Sequence, residues 1–224
     1  MDNITIVAEA GISHNGDVEI AKELVIKAKE CGADAIKFQL FTKEARPAGT
    51  KFILQPGLWH LVTKFAKEHG IVCFFSVFDF ESVKLAITVE APWVKLSMIE
   101  RRNLQLIQEC ERWGFERRIV SVDLWGQYPK RDGWEYMYCP NNGWSGYYPT
   151  LGKHIEWERY AGIAKKTGMG YSCHAQDLAQ CVTAVALGAK IIEKHFCLDE
   201  DAPDADVSLL PHQFKTMVDI IRGL

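Results

Sequence analysis

The sequence has no apolar stretch long enough to span a bilayer, no Lys/Arg-rich run, and no basic N-terminal region ahead of a hydrophobic segment. The first absence argues against a transmembrane helix and the second against nucleic acid as a partner. The third argues against a secretory leader, because a strand-like run already starts at Ile4. Cys-x-x-Cys pairs are also missing. The seven cysteines, Cys31, Cys73, Cys110, Cys139, Cys173, Cys181 and Cys197, are odd in number and widely spaced. That pattern argues against a disulfide framework or a zinc ribbon and reads as reduced, mostly buried thiols in a cytoplasmic protein. What is present is an ordinary soluble composition, 48% hydrophobic and 25% charged with net charge −3 over 224 residues. That length suffices for one domain with its own core, and no low-complexity linker divides it. Residues 1–224 are expected to form a single barrel domain.

Five junctions repeat one grammar: "AKECGADAIKF", "AKEHGIVCFF", "CERWGFERRIV", "AKKTGMGYSC" and "AVALGAKIIEKHF". Each runs from a helix-like segment through a glycine into a β-rich apolar run. Gly32, Gly70, Gly114, Gly168 and Gly188 stand where a left-handed helix C-cap is expected, and Lys29, Lys67, Arg112 and Lys166 in the preceding turns suit the helix dipole. In "DVEIAKELVIKAKECG", Ala21, Leu24, Val25 and Ala28 make one stripe behind an Asp17 N-cap. Strands are expected at Ile4–Ala10, Ala35–Gln39, Val72–Val77, Trp93–Ser97, Arg118–Asp123, Tyr136–Cys139, Gly170–His174 and Lys190–Phe196. Eight short, nearly continuous apolar strands alternating with helices predict a compact α/β fold, the closed (β/α)8 TIM barrel. "LWGQYPKRDGWE" (Leu124–Glu135) holds two glycines and a proline, so the fifth helix is expected to be lost or shortened.

Active sites of such barrels lie at the C-terminal strand ends, and side chains alternate inward and outward. Glu9, Lys37 with Gln39, Lys95 with Ser97, Ser121 with Asp123, Ser172 with His174, and Glu193 with His195 each sit on one apolar-to-polar face. Six strands thus turn polar groups toward a common end. His174 and His195, on adjacent strands, can share a divalent metal, with Glu9 completing the shell directly or through water. Lys37 and Lys95, with Ser121 and Ser172, suit a phosphate or carboxylate. A metal beside an anion pocket points to carbonyl chemistry.

Blander readings compete. A lone strand histidine is more often a core or surface group than a ligand, and a strand-end lysine usually snorkels or pairs. Lys194, on the face opposite His195, reads as such an outward-facing structural charge. Cys173 alternates away from His174 and reads as core. "GISHNGD" (Gly11–Asp17) reads as a turn leading to a helix N-cap rather than a phosphate loop, with His14 structural. Trp144, Tyr147 and Tyr148 can line a sugar site or simply cover the mouth.

"VAEAGISHNGDVEIAKELVIKAKECGADAIKFQ", "GYSCHAQDLAQCVTAVALGAKIIEKHF" and "PDADVSLLPHQFKTMV" resemble, in order, segments of the sialic acid synthase (N-acetylneuraminate synthase) family. That resemblance implies a cytoplasmic transferase. It would condense phosphoenolpyruvate with an N-acetylmannosamine-like amino-sugar aldehyde, using a divalent metal: manganese, with magnesium or cobalt as alternatives. It implies His174 and His195 as metal ligands and Glu9 as the carboxylate near the metal. Glu9, Lys37 and Lys95 would be catalytic, and Gln39, Glu100, Ser121, Tyr148, Ser172 and Asp204 would bind substrate; Ser97 joins the substrate-binding set by its place on the inward face beside Lys95 and not by the resemblance. The implied partners are the two small-molecule substrates and a second copy in a homodimer.

The sequence also departs from that pattern. Met98 stands where the family has a phosphate-binding serine, with Ser97 one position early, and Val77 stands where a hydroxyl is expected. The family's C-terminal antifreeze-like domain has no counterpart within these 224 residues. Two other readings therefore stay open: a divergent aldolase or lyase on the same barrel, and a non-catalytic sugar-binding subunit that needs a separate antifreeze-like chain.

Overall fold

Every one of the five junction glycines adopts a left-handed backbone, with φ between 65° and 108°. At Gly188 the requirement is steric as well. An added Cβ would lie 3.1 Å from the Lys165 amide nitrogen and 3.2 Å from the Ala164 carbonyl carbon of the helix behind it. This computed structural model describes residues 4–42, 52–125, 131–140 and 155–224. The strands are β1 (Thr5–Gly11), β2 (Ala35–Leu40), β3 (Val72–Val77), β4 (Trp93–Leu96), β5 (Arg117–Val122), β6 (Trp134–Tyr138), β7 (Gly170–Cys173) and β8 (Ile191–His195). They close into one parallel barrel in sequence order, β8 pairing back onto β1. The α-helices are α1 (Val18–Glu30), α2 (Trp59–Glu68), α3 (Phe80–Thr88), α4 (Leu104–Arg112), α5 (Trp157–Thr167), α6 (Ala179–Ala186) and α7 (Pro211–Gly223).

Local sequence sets the helix boundaries. Asp17 caps α1, accepting from the amides of Glu19 and Ile20, and the stripe Ala21, Leu24, Val25 and Ala28 is buried against the sheet. Asp79 and Ser82 cap α3 reciprocally. Among the described residues no helix follows β5, as expected. The outer faces of β5 and β6 are nonetheless covered. Val120, Val122, Trp134 and Tyr138 are buried, and Ile107 of α4 meets Val120, Val122 and Trp134 around one small cavity. Glu111 of α4 bridges that gap, accepting from both Arg131 Nη1 (2.8 and 2.9 Å) and Trp134 Nε1 (3.0 Å).

The barrel interior is layered. Val7, Ala35, Phe74, Ile119, Met137 and Ile191 form a buried apolar floor. Gly170 is the floor's small member, since a Cβ there would meet Met137 Cγ at 2.8 Å. Two residues along each strand, the same inward face carries Glu9, Lys37, Ser76, Lys95, Ser121, Cys139, Ser172 and Glu193, all of them buried. The parallel register fixes the neighbours in this polar layer: Glu9 opposite Lys37, Ser76 opposite Lys95, and Ser172 opposite Glu193. Outward residues such as Ile6, Ile36, Phe75, Val94 and Ile192 build the larger core between sheet and helices. Among the described residues no helix is long and apolar enough to cross a membrane.

If Glu111 helps to hold the outer face of β5 and β6 closed, Glu111→Ala should lower the unfolding free energy by about 1 kcal/mol in urea titrations, a partly exposed hydrogen-bonded pair being worth little more. An unchanged midpoint would show that apolar contacts alone close the gap.

Candidate active site

Four charged side chains meet on the barrel axis. Lys37 Nζ lies 2.5 Å from Glu9 Oε2 and 3.8 Å from Glu193 Oε2, and it donates to Ser76 Oγ at 2.7 Å. Lys95 Nζ donates to Glu193 Oε1 at 2.5 Å, and Ser172 Oγ donates to the same oxygen at 2.8 Å. Gln39 Nε2 donates to Glu9 Oε1 at 3.3 Å. Two ammonium groups thus face two carboxylates inside an apolar wall, so the cluster is close to neutral while each member is buried.

The two carboxylates respond oppositely. Burial would raise Glu193, but Lys37, Lys95 and the hydrogen bonds from Lys95 and Ser172 outweigh it and hold its carboxyl at about 2. At Glu9 burial dominates. Lys37 offsets it only in part, Glu193 adds repulsion, and the carboxyl is pushed up to about 7. Burial pulls Lys95 below its ordinary value, with Glu193 resisting. Lys37, flanked by both carboxylates, stays above its own despite burial.

Above this layer, at the ends of β7 and β8, the rings of His174 and His195 lie 4.8 Å apart between centroids. Burial pushes His174 down to about 4 and His195 well below the usual imidazole range, so both are neutral near pH 7 with a lone pair to offer. That donor chemistry fits two positions of a divalent-metal shell. Among the described residues no third His, Cys, Asp or Glu joins them in a metal-holding group, so water and substrate would have to fill the remaining positions. Glu9 sits opposite His195 in the register, but its carboxylate is engaged with Lys37 and Gln39.

The other expected residues fall into place unevenly. Ser97 Oγ, two residues past Lys95, is buried without a hydrogen-bond partner, as are, apart from their ion pairs with Lys37, Glu9 Oε2 and Glu193 Oε2. Asp204 opens the 3-10 turn Ala205–Val207 in a left-handed conformation, φ 65°. A Cβ on Gly11 would meet Glu9 Oε1 at 3.2 Å, Asp204 Oδ2 at 3.4 Å and Gln39 Nε2 at 3.5 Å. The bulge at Gly11 therefore keeps open the spot where three polar groups converge. Ser121 is buried in the polar layer. Glu100 lies in a 3-10 turn after β4 and accepts from Asn103, outside the cluster. Tyr148, with Trp144 and Tyr147, lies outside the described residues.

Three residues were missed or misjudged. Ser76 holds Lys37, whereas attention to Val77 follows the family pattern; Val77 is buried in the outer core, and the Phe74–Ser76 alternation was the available signal. Cys139, one step past Met137 on the inward face of β6, lies 3.7 Å from His174 Nδ1. Lys194 is an outward-facing structural charge as expected, yet it is fully buried and does not snorkel. His14, read as structural, is buried and neutral. Its Nδ1 accepts from the Gly16 amide, and its ring packs edge-on to Phe38 and Trp59.

Fold and site together define a class: (β/α)8 barrels whose C-terminal mouth sets a pair of imidazoles above an ionised layer. The NeuB family model matches residues 146–224. An uncharacterized protein of Methanocaldococcus jannaschii is 31% identical over 97% of this chain and 69% of its own length. The N,N'-diacetyllegionaminic acid synthase of Legionella pneumophila is 28% identical over 97% of this chain and 71% of its own. The crystal structure of N-acetylneuraminic acid (sialic acid) synthetase from Leptospira borgpetersenii, in complex with citrate, has the same fold. It superposes with a TM-score of 0.84 at 21% identity, covering 99% of this chain and 84% of that one. The chain belongs to the NeuB family.

Removing one member of the buried cluster leaves uncompensated charge. Glu193→Gln should cost about 3 kcal/mol in chemical denaturation, and a loss near zero would contradict the pairing. The pH dependence follows from the two carboxylates. Glu193 ionises more readily folded than unfolded, so its contribution is full above pH 4.5 and lost as pH falls toward about 2. Glu9 holds its proton more tightly when folded, so its contribution is full below pH 4.5 and lost as pH rises through about 7. Glu9→Gln should therefore flatten the fall of the urea midpoint between pH 5 and 8; an unaltered profile would assign that fall elsewhere.

Proposed function

We propose that the protein joins phosphoenolpyruvate to the aldehyde carbon of an N-acetylmannosamine-like amino sugar, yielding a sialic-acid-type nonulosonate and inorganic phosphate. The observation that carries this reading is the stacking of two chemistries on one barrel axis. A lysine pair able to meet phosphate and carboxylate lies directly below an imidazole pair able to hold a metal beside a carbonyl. The Legionella relative, named for a diacetylated sugar acid, supports an amino-sugar acceptor.

His174 and His195 would hold the divalent metal, manganese or alternatively magnesium or cobalt. When bound there it supplies Lewis-acid polarisation of a sugar carbonyl. The chain's own residues do the rest. Lys37 and Lys95 meet the phosphate and carboxylate charges, and Ser97, unpartnered in the fold, donates to one of those oxygens. Asp204 and Gln39, flanking the Gly11 bulge, orient the sugar hydroxyls. The methylene carbon of phosphoenolpyruvate forms the new bond to the aldehyde carbon, whose oxygen takes a proton. Water then adds at the enol carbon and loses a proton, and the C–O bond to phosphate breaks to give the keto acid. Glu9, held near pH 7, is the group suited to move these protons. Because Lys37 is already paired with Glu9, an entering anion competes with that carboxylate, and protonating Glu9 resolves the competition.

One observation favours a second reading. Lys95 is buried with its ammonium held below the ordinary value, as suits an amine that attacks a keto acid in a divergent aldolase or lyase. Borohydride added with pyruvate would then leave a reduced adduct on Lys95, visible by mass spectrometry.

With manganese present, phosphate should be released from phosphoenolpyruvate only when an acceptor hexosamine is added, and Lys37→Met should cut kcat/KM at least about 100-fold. No release across a panel of N-acetylhexosamines would overturn the condensation. His195→Ala should abolish manganese binding in equilibrium dialysis; unchanged metal content would remove both histidines from that role.

A further inference from the structure

Lys194 presents a puzzle that neither the fold nor the proposed reaction absorbs. It is 0% exposed, and alternation points it out of the barrel, away from Glu193 and His195. Among the described residues its ammonium pairs with carbonyl oxygens and not with a carboxylate: it donates to Ala175 O and, at 2.5 Å, to Val207 O. A buried cation without a counter-ion is costly, and an apolar side chain of similar volume would fill the space more cheaply. What the ammonium gains is reach across two separate segments. Ala175 directly follows His174 at the end of β7. Val207 closes the turn that Asp204 opens in a left-handed conformation.

We propose that Lys194 is a positioning residue whose ammonium staples the backbone behind His174 to the turn carrying Asp204, fixing imidazole and carboxylate relative to each other across the barrel mouth. The second segment shows why a staple is needed. A non-glycine residue at φ 65° persists only when its surroundings over-determine it. Here Ser13 Oγ donates to Pro203 O at 2.8 Å, Ser208 Oγ donates to Asp204 O at 2.7 Å, and Lys194 secures the far end of the turn. Of these three, Lys194 alone also grips the β7 end. It does so from the strand residue adjacent to His195, so one side chain references both histidine-bearing strand ends and the Asp204 turn to the same point.

The geometric claim stands on these contacts, and its consequence for metal affinity rests on the site reading above. Lys194→Met keeps the volume and removes the donors. By hydrogen–deuterium exchange, amides of residues 174–178 and 205–209 should exchange at least about tenfold faster in this variant, while the floor strands stay protected. Manganese affinity should fall about tenfold in the same variant. In Lys194→Ala, n-propylammonium should restore protection of both segments and n-propanol should not. Wild-type exchange in Lys194→Met, or equal rescue by the alcohol, overturns the proposal. Global unfolding of Lys194→Met together with failed ammonium rescue overturns it too, because the cation would then serve the whole barrel. A wild-type protein that binds no manganese would sink the metal reading alone and leave exchange to decide on the staple.

Discussion

The buried pairing of Lys37 and Lys95 with Glu9 and Glu193 is the constraint on which the rest depends. Four ionisable groups cannot carry charge on a barrel axis unless each finds its partner at close range, since a single unpaired charge would cost several kcal/mol. The parallel register brings Glu9 beside Lys37, while Ser76 accepts from Lys37 and Ser172 donates to Glu193 Oε1. The apolar floor below excludes water and keeps these contacts strong. The same low dielectric sends the two carboxylates in opposite directions, one strongly acidic and one poised near neutrality. A structural solution to burying charge thereby also supplies a proton-moving group.

This arrangement bears on how an anion would be recognised. The lysines do not wait as free cations; each already has a carboxylate within 2.5 Å. Binding therefore has to be an exchange of partners, and Glu9, the less acidic carboxylate, is the one that can yield. Ser97, by contrast, is an unpartnered buried hydroxyl and would have no protein partner to give up to a ligand. Above them, burial keeps His174 and His195 unprotonated, so the mouth offers lone pairs while the layer beneath offers charge.

Much of the fold was legible in the sequence because its signals are local. Glycine at five of the helix ends, short apolar strands and period-two alternation located all eight strands to within a residue or two, and Gly and Pro in one segment anticipated that no helix follows β5 among the described residues. The polar layer was legible as a layer, for the same alternation that names the floor also names Glu9, Lys37, Lys95 and Glu193. Which carboxylate meets which ammonium was not, because pairing across the axis depends on register and reach that no single strand encodes. Ser76 escaped notice because the family pattern points to Val77, although alternation with Phe74 already places Ser76 on the inward face. Lys194 was read as an outward-facing structural charge of the kind that snorkels or pairs, because lysine is rarely buried; its full burial depends on two carbonyls supplied by separate segments.

The measurement closest to the central claim is calorimetric titration of phosphoenolpyruvate into the metal-free protein at pH 8, run in buffers of different ionisation enthalpy. At that pH Glu9 is ionised in the free protein, so an anion that takes over Lys37 should draw close to one proton onto Glu9. At pH 5.5, where Glu9 is already protonated, uptake should vanish, and Glu9→Gln should abolish it at both. Binding at pH 8 with no proton uptake would contradict the exchange of partners and with it the account of the buried cluster as the anion site.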